Sequence, residues 1–337
     1  MKLLMLADIH FGVRSDSPFF RKKHEEFFSG VIEYLENNDI DKVFILGDVM
    51  DKRKSCDYST IKYAISQLDE IAYLGFEINI LVGNHDSYFK NTLEINSPKM
   101  LFRPDLNPMY KVYDKPVDVD GICIIPWICD DNYDDCMNII KNSKSEVCFG
   151  HFELNGFQYN KSTISSGGMD AEFLSKFKTV ITGHYHLKSN NKNVFYLGSP
   201  IQMNWDDYMT PKGFHVFDTE TNVLKFFENK ESIFKILHNM EDFGECTDKI
   251  VRVVVDSDVD KKKLDSYLRK LQETNPHDVK VIYNQKEKVV EESVKIDCVN
   301  TKQSIVNFSP MYIEEDMSEE KMNNIINEVY IEALNLE

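Results

Sequence analysis

The chain has 337 residues, 42% hydrophobic and 28% charged, with seven cysteines and a formal net charge of -17 at pH 7. That length exceeds the size at which one core stops growing, so two domains are expected. The acidic balance argues against strong unassisted binding to a polyanion, no apolar run approaches the length of a membrane span, and an odd cysteine count without Cys-x-x-Cys spacing points to reduced thiols in a cytosol.

Met1 to Ala7 looks like a short leader, but Asp8 and His10 interrupt it and no cleavage site follows. The run Leu3 to Leu6 instead reads as a strand leading to Asp8 and His10, with a helix predicted over 18–37. Val43 to Leu46 leads to Asp48 within GDVMD, residues 47–51. A helix over 58–74 carries Ile61, Ile65, Leu68 and Ala72 on one stripe. Ile78 to Val82 leads to Asn84 and His85 within GNHD, residues 83–86. Helices are predicted over 92–103, 132–143 and 170–177. Val147 to Phe149 leads to His151, and Val180 to Thr182 leads to His184 and His186 of GHYH.

These five runs are too short for helices, rich in branched apolar residues and without polar alternation, as expected of parallel strands buried on both faces. They read as central strands of one sheet. Further strands are expected at 122–126, 194–197, 213–217 and 223–227, closing a first domain near residue 230. A connector over 231–247 leads to a small α+β unit: strand 250–255, helix 261–273, strand 279–283. Asp316 and Glu319 resemble a capping box, and Met322, Ile325, Ile326, Val329, Ala333 and Leu336 follow at helical spacing. Residues 314–337, with one basic and eight acidic side chains, thus read as an acidic amphipathic helix.

The residue types specify chemistry. Open α/β sheets place ligands at the carboxyl ends of their strands, where each of these His, Asp and Asn residues falls. In Asp-x-His the period of two sends Asp8 and His10 to the same side. Imidazole combined with carboxylate suits Mn, Fe or Zn. Two such ions roughly 3.5 to 4 Å apart can drive in-line attack on phosphorus. For one such histidine alone, a satisfied polar residue at a strand end is the commoner case; five ligand-bearing strand ends in order make that reading untenable. His24, His215, His238 and His277 lack the context and read as structural or surface residues. Cys123, Cys129 and Cys148 read as small core residues.

Asp8-Ile9-His10, GDVMD, GNHD, Gly150-His151 and GHYH together resemble the calcineurin-like metallophosphoesterases, whose fold is an α/β layered β-sandwich flanked by helices. HFELNG at 151–156, YLGSP at 196–200, VYDKP at 112–116 and IIPW at 124–127 resemble the SbcD/Mre nuclease family, above all its short bacteriophage members. The resemblance covers residues 1 to about 230. It implies a Mn-dependent DNA nuclease with two divalent ions: Asp8, His10, Asp48 and His186 would hold one, and Asp48 would bridge to a second held by Asn84, His151 and His184. His85 would contact the scissile phosphate or leaving group, oriented by Asp86. Asp51 keeps three readings: a group behind the ligands, a DNA-facing group, or a loop cap.

The resemblance also implies a homodimer through helices 58–74 and 92–103, a DNA-capping domain at 248–313, and an SbcC-like coiled-coil ATPase gripped by the segment 314–337. It places the protein in the cytoplasm, the host's if phage-encoded, with no membrane partner. The alternatives are an enzyme of the same fold acting on nucleotides or phosphoproteins, and a non-catalytic scaffold regulating an ATPase. Lys261, Lys262 and Lys263 could touch phosphate, although a charge run at a helix start is more often a solvated face.

Overall fold

A computed structural model describes residues 1–159, 161 and 163–284. The predicted tail helix at 314–337 and the last part of the expected capping domain lie outside the described residues.

Strands β1 (Lys2–Leu6), β2 (Lys42–Ile45), β3 (Glu77–Leu81) and β4 (Tyr110–Tyr113) run parallel in one sheet. A short strand β5 (Val117–Val119) then opens a second sheet, antiparallel to β6 (Ile122–Ile125), which is followed in parallel by β7 (Val147–His151) and β8 (Thr179–Gly183). Strands β9 (Ser189–Asn191) and β10 (Val194–Tyr196) complete that sheet in the order β5-β6-β7-β8-β10-β9. The chain returns through β11 (Lys212–Asp218) and β12 (Val223–Asn229), antiparallel on the free edge of β1. The five ligand-bearing runs are therefore divided between two six-stranded sheets, not gathered in one.

The alternation within β1 shows how the layers form. Leu3 and Met5 point between the sheets, where they meet Phe44, Ile124, Phe149 and Phe217. Leu4 and Leu6 point outward, under the helices Pro18–Asn37 and Tyr58–Tyr73. Both faces are dry, which is why the run shows no polar alternation. The far face of the second sheet packs its own apolar set, including Ile125, Cys136, Ile140 and Val180, beneath the helix Tyr133–Asn142. Cys123, Cys129 and Cys148 are buried as expected.

Two predicted helices shrink. Helix 92–103 is confined to Ser97–Phe102, because Asn96 caps it through a bond from the Lys99 amide and Pro98 occupies its first turn. Leu93 is drawn instead into a small cluster with Val82 and Cys129. Over 170–177 only a 3-10 turn forms, Ala171–Leu174, capped by Asp170.

Beyond β12 come β13 (Phe234–His238), β14 (Ile250–Asp256), the helix Lys261–Gln272 and β15 (Asp278–Asn284). The three strands are parallel, in the order β13-β14-β15. The segment expected as connector thus contains an edge strand of the third sheet. Asp260 caps the helix by accepting from the Lys262 and Lys263 amides. His277 stacks on Phe19 at 3.8 Å, and Lys22 pairs with Asp248 at 2.6 Å, joining this unit to the first helix.

Candidate metal centre

Each candidate ligand lies just past the carboxyl end of a strand, or at it, and the backbone there departs from ordinary conformations. Asp8, His10, Asp48 and His184 have φ of 53°, 51°, 53° and 101°. Left-handed backbone in a non-glycine residue costs of order 1 to 3 kcal/mol and persists only where its surroundings over-determine it. Here they do. Asp8 N donates to Gly47 O at 3.1 Å, His10 N to Asp48 O at 3.0 Å and Phe11 N to Val49 O at 2.8 Å, so the turns after β1 and β2 are laced together. Asp48 Oδ1 accepts from the His85 amide at 2.8 Å, tying in the turn after β3. Gly47 (φ 88°) and Gly83 permit this approach: a Cβ on the first would collide with the His151 ring, and on the second with the Asp48 backbone and carboxylate.

Two groups of donor atoms result, each within 4.8 Å: Asp8, His10 and His186, and Asp48, His151 and His184. The sheets share them, since Asp8, His10, Asp48 and Asn84 follow strands of the first and His151, His184 and His186 those of the second. Asn84 belongs with the second group, its Oδ1 lying 2.9 Å from His151 Nε2 and 3.0 Å from His184 Nδ1. Asp48 Oδ2 lies 3.4 Å from His151 Nε2 and 3.7 Å from His10 Nε2, so this carboxylate sits between the groups.

The donor set fits divalent cations. His151 Nδ1 lies 2.7 Å from the Leu46 carbonyl, an acceptor only, so that nitrogen carries the hydrogen. In the neutral ring the Nε2 lone pair then faces the Asn84 oxygen, acceptor against acceptor. The Nε2 atoms of His10 and His186 likewise face each other at 3.0 Å. Lone pairs converging on a common point are what a cation satisfies. His10 Nδ1 is buried and has no hydrogen-bond partner among the described residues, with Asp51 Oδ1 3.5 Å away. That places a carboxylate behind a candidate ligand imidazole, the arrangement that fixes ring orientation in metal sites.

Electrostatics agree. Burial would raise the Asp48 carboxyl, but His151, His10 and His85 hold it well below the usual range. Burial, then the charge of His151, pushes His184 down to about 3, and burial with His10 and Lys212 pushes His186 down as well. The carboxylate is thus charged and those imidazoles neutral, the forms that ligate. Burial opposes protonation of His151, yet Asp48 raises it to about 9, so a cation would displace a proton there.

His85 belongs to neither group. Its Nδ1 lies 2.6 Å from the Asp51 carbonyl, and its ring stands edge-on to His10 at 4.8 Å. Asp51, not Asp86, therefore orients His85. Asp86 points the other way: it accepts from the amides of Val49, Met50 and Gly83 at 2.9, 3.1 and 2.9 Å and binds the turns after β2 and β3 together. His24 is buried against the Ile9 carbonyl, His215 is buried in β11, His238 is exposed and His277 stacks on Phe19.

A cleft of about 230 Å³ opens over the centre, lined by His10, Asp48, Asp51, His85, His184 and His186 together with Tyr159, Asn204, Asp206 and Asp207. Tyr159 comes from a loop, and Asn204, Asp206 and Asp207 from the cap and body of a short 3-10 turn, Trp205–Asp207; sequence reasoning missed all four. Trp127, whose ring lies 5.3 Å from that of His184, was visible only as the end of the IIPW segment.

A β-sandwich with paired acid and imidazole clusters at its strand ends defines a metal-dependent phosphoesterase, and residues 1–235 match the calcineurin-like phosphoesterase family, to which the chain belongs. It is 33% identical to exonuclease subunit 1 of Enterobacteria phage T4 over 347 residues, covering 99% of each chain. It is also 25% identical over 265 residues to the SbcD component of nuclease SbcCD from Staphylococcus epidermidis (66% of this chain, 67% of that one). Against the SbcD component from Escherichia coli K12 it is 23% identical over 271 residues, 68% of each chain.

Proposed function

We propose that this chain is the nuclease subunit of an SbcCD-like complex and hydrolyses DNA phosphodiesters with two divalent ions, Mn foremost. The observation that carries the reading is the pair of largely buried donor clusters with the Asp48 carboxylate between them, and His85 beside them in an open cleft and outside both. The relatives are nucleases by name, and the sequence resemblance points to DNA as the polymer. Asp8, His10, Asp48 and His186 would hold one ion, and Asp48, Asn84, His151 and His184 the other. Bound cations would supply Lewis-acid polarisation of the phosphate and activation of water. His85, held through Nδ1 by Asp51, presents Nε2 to the phosphate or the leaving oxygen, and Asp86 fixes the two turns that carry Asp48 and Asn84.

The face made by the helices Tyr58–Tyr73 and Ser97–Phe102 supports dimerisation. Tyr58, Tyr73 and Met100 are 90%, 86% and 66% exposed, and Met100 lines a groove of about 370 Å³ together with Ile61, Ile95 and Leu101. We assign a second copy of the chain as its cover. The segment 314–337 would dock through its apolar stripe on the coiled-coil ATPase, and 248–313 would cap DNA. No helix among the described residues is long and apolar enough to cross a membrane, and the reading places the complex in the cytoplasm.

The test is cleavage of single-stranded DNA against a small phosphodiester, with Mn and with Mg. Mn-dependent DNA cleavage supports the reading. Activity restricted to nucleotides or phosphopeptides, or purified protein that takes up no metal, would overturn it. Deleting 315–337 should leave this cleavage intact and abolish association with the ATPase.

A further inference from the structure

Lys212, at the start of β11, is 2% exposed, and its ammonium spends all three donors inside the protein. They go to the His186 carbonyl at 2.7 Å, to Ser199 Oγ at 2.8 Å and to Asp207 Oδ1 at 2.5 Å. The His186 carbonyl also accepts from the Ser199 amide at 3.1 Å. The backbone of a candidate metal ligand is thus gripped from two sides.

The network continues away from the centre. Asp207 Oδ2 accepts from the Met203 and Asn204 amides at 2.8 and 3.2 Å. Its own carbonyl accepts from Gln202 Nε2 at 3.1 Å. Gln202, 4% exposed, turns its other end to the third sheet, where Oε1 accepts from the amides of Ile233 and Phe234 at 2.8 and 3.1 Å. Phe234 is the first residue of β13. An unbroken chain of buried polar contacts therefore runs from His186 through Lys212, Asp207 and Gln202 to the third sheet.

Burying an ammonium and a carboxylate is costly, and an apolar pair of the same volume is often as stable. Stability alone is then a weak reason for this pair. We propose that Lys212 is a positioning residue for His186, and that with Asp207 and Gln202 it links the Asp8, His10 and His186 cluster to the first strand of the third sheet. This rests on the reading of that cluster as a cation site. Lys212 sets where the His186 backbone lies, and so where its imidazole meets the cation. In the other direction, filling the site tightens the contacts that Ile233 and Phe234 make.

The experiment uses the full chain, Mn titration by calorimetry, and hydrogen exchange with and without Mn. Wild-type protein that binds no ion, or His186→Ala that binds as wild type does, would sink the cation-site reading itself. With those controls in order, Lys212→Met is expected to weaken one of two ions by roughly 10- to 100-fold, the usual effect of removing a group behind a ligand, and to spare the other. Mn should slow exchange of the Ile233 and Phe234 amides in wild type but not in this variant. If Lys212→Met leaves the Asp207 charge stranded and does not fold, Lys212→Met/Asp207→Asn removes both charges, and the same loss is expected of it. A folded variant that binds both ions with wild-type affinity would make the pair purely structural and overturn the proposal.

Discussion

The backbone amide of His184 donates to both carboxylate oxygens of Asp8, at 2.9 and 3.1 Å, across 176 residues of chain. One side chain therefore serves two purposes: it offers lone pairs to the centre, and it pins the turn after β8 to the turn after β1. Burial pushes this carboxyl up to about 6, against the pull of His151 and with the push of Asp48, so in the protein alone it lies close to neutrality at mildly acid pH.

Asp8→Ala is accordingly expected to abolish cleavage through lost metal, and to loosen the His184 turn as well. Metal analysis after desalting should find one ion or fewer per chain. Two retained ions with normal turnover would remove Asp8 from the ligand set.

His85→Ala should behave differently, because this ring lies in neither donor group. Two ions should remain while turnover falls by roughly 10² to 10⁴, the usual range for loss of a positioned acid or base. Loss of an ion in this variant would move His85 into the ligand set.

On the exposed helix face, Met100→Glu places a charge where an apolar side chain is 66% exposed. If a second copy covers that surface, sedimentation should shift from dimer to monomer while the circular dichroism spectrum stays that of the folded chain. A wild-type protein that is already monomeric would rule this cover out.

Burial pushes His215 down to about 3 from the ordinary 6.5, and Lys188 adds to the push. Between those values the unfolded chain binds a proton that the folded one does not, so stability rises with pH across the window and is lost as pH falls. His215 Nδ1 has no hydrogen-bond partner among the described residues, and the ring packs 4.9 Å from Phe226. His215→Phe should therefore be tolerated at pH 7 and should flatten the acid slope by up to about 1.4 kcal/mol per pH unit. Urea unfolding at pH 7, 5.5 and 4.5 would read this directly; unchanged slopes would contradict it.

The strands were legible because a strand buried on both faces has to be a short apolar run, and the convergence of candidate donors was legible because the carboxyl end of such a strand is where these sheets bind. Which sheet each run joins was not legible, since β1 and β7 look alike in composition and only long-range pairing separates them. Helix 92–103 was drawn too long because the Asn96 cap and Pro98, which set its true start, lie inside the expected range. Asp86 adjoins His85 in sequence, yet its carboxylate turns toward the Val49 and Met50 amides. Adjacency along the chain says little about which side chains meet. The cleft walls at Tyr159 and Asn204 to Asp207 sit in a loop and in a single 3-10 turn too short to show a period, so nothing in the sequence marks those residues as facing inward.

The division of the donor atoms between two sheets has a mechanical meaning. Cations held as proposed, by Asp8, Asp48 and Asn84 on one side and by His151, His184 and His186 on the other, would act as rivets across the sandwich, and the sheets could not part at that end without releasing them. Opening the sandwich and emptying the site become one equilibrium, and metal at a hundred times its dissociation constant resists that opening by about 2.7 kcal/mol per ion. A chelator should then act on this protein as a denaturant does, lowering its melting temperature in proportion to the logarithm of free metal.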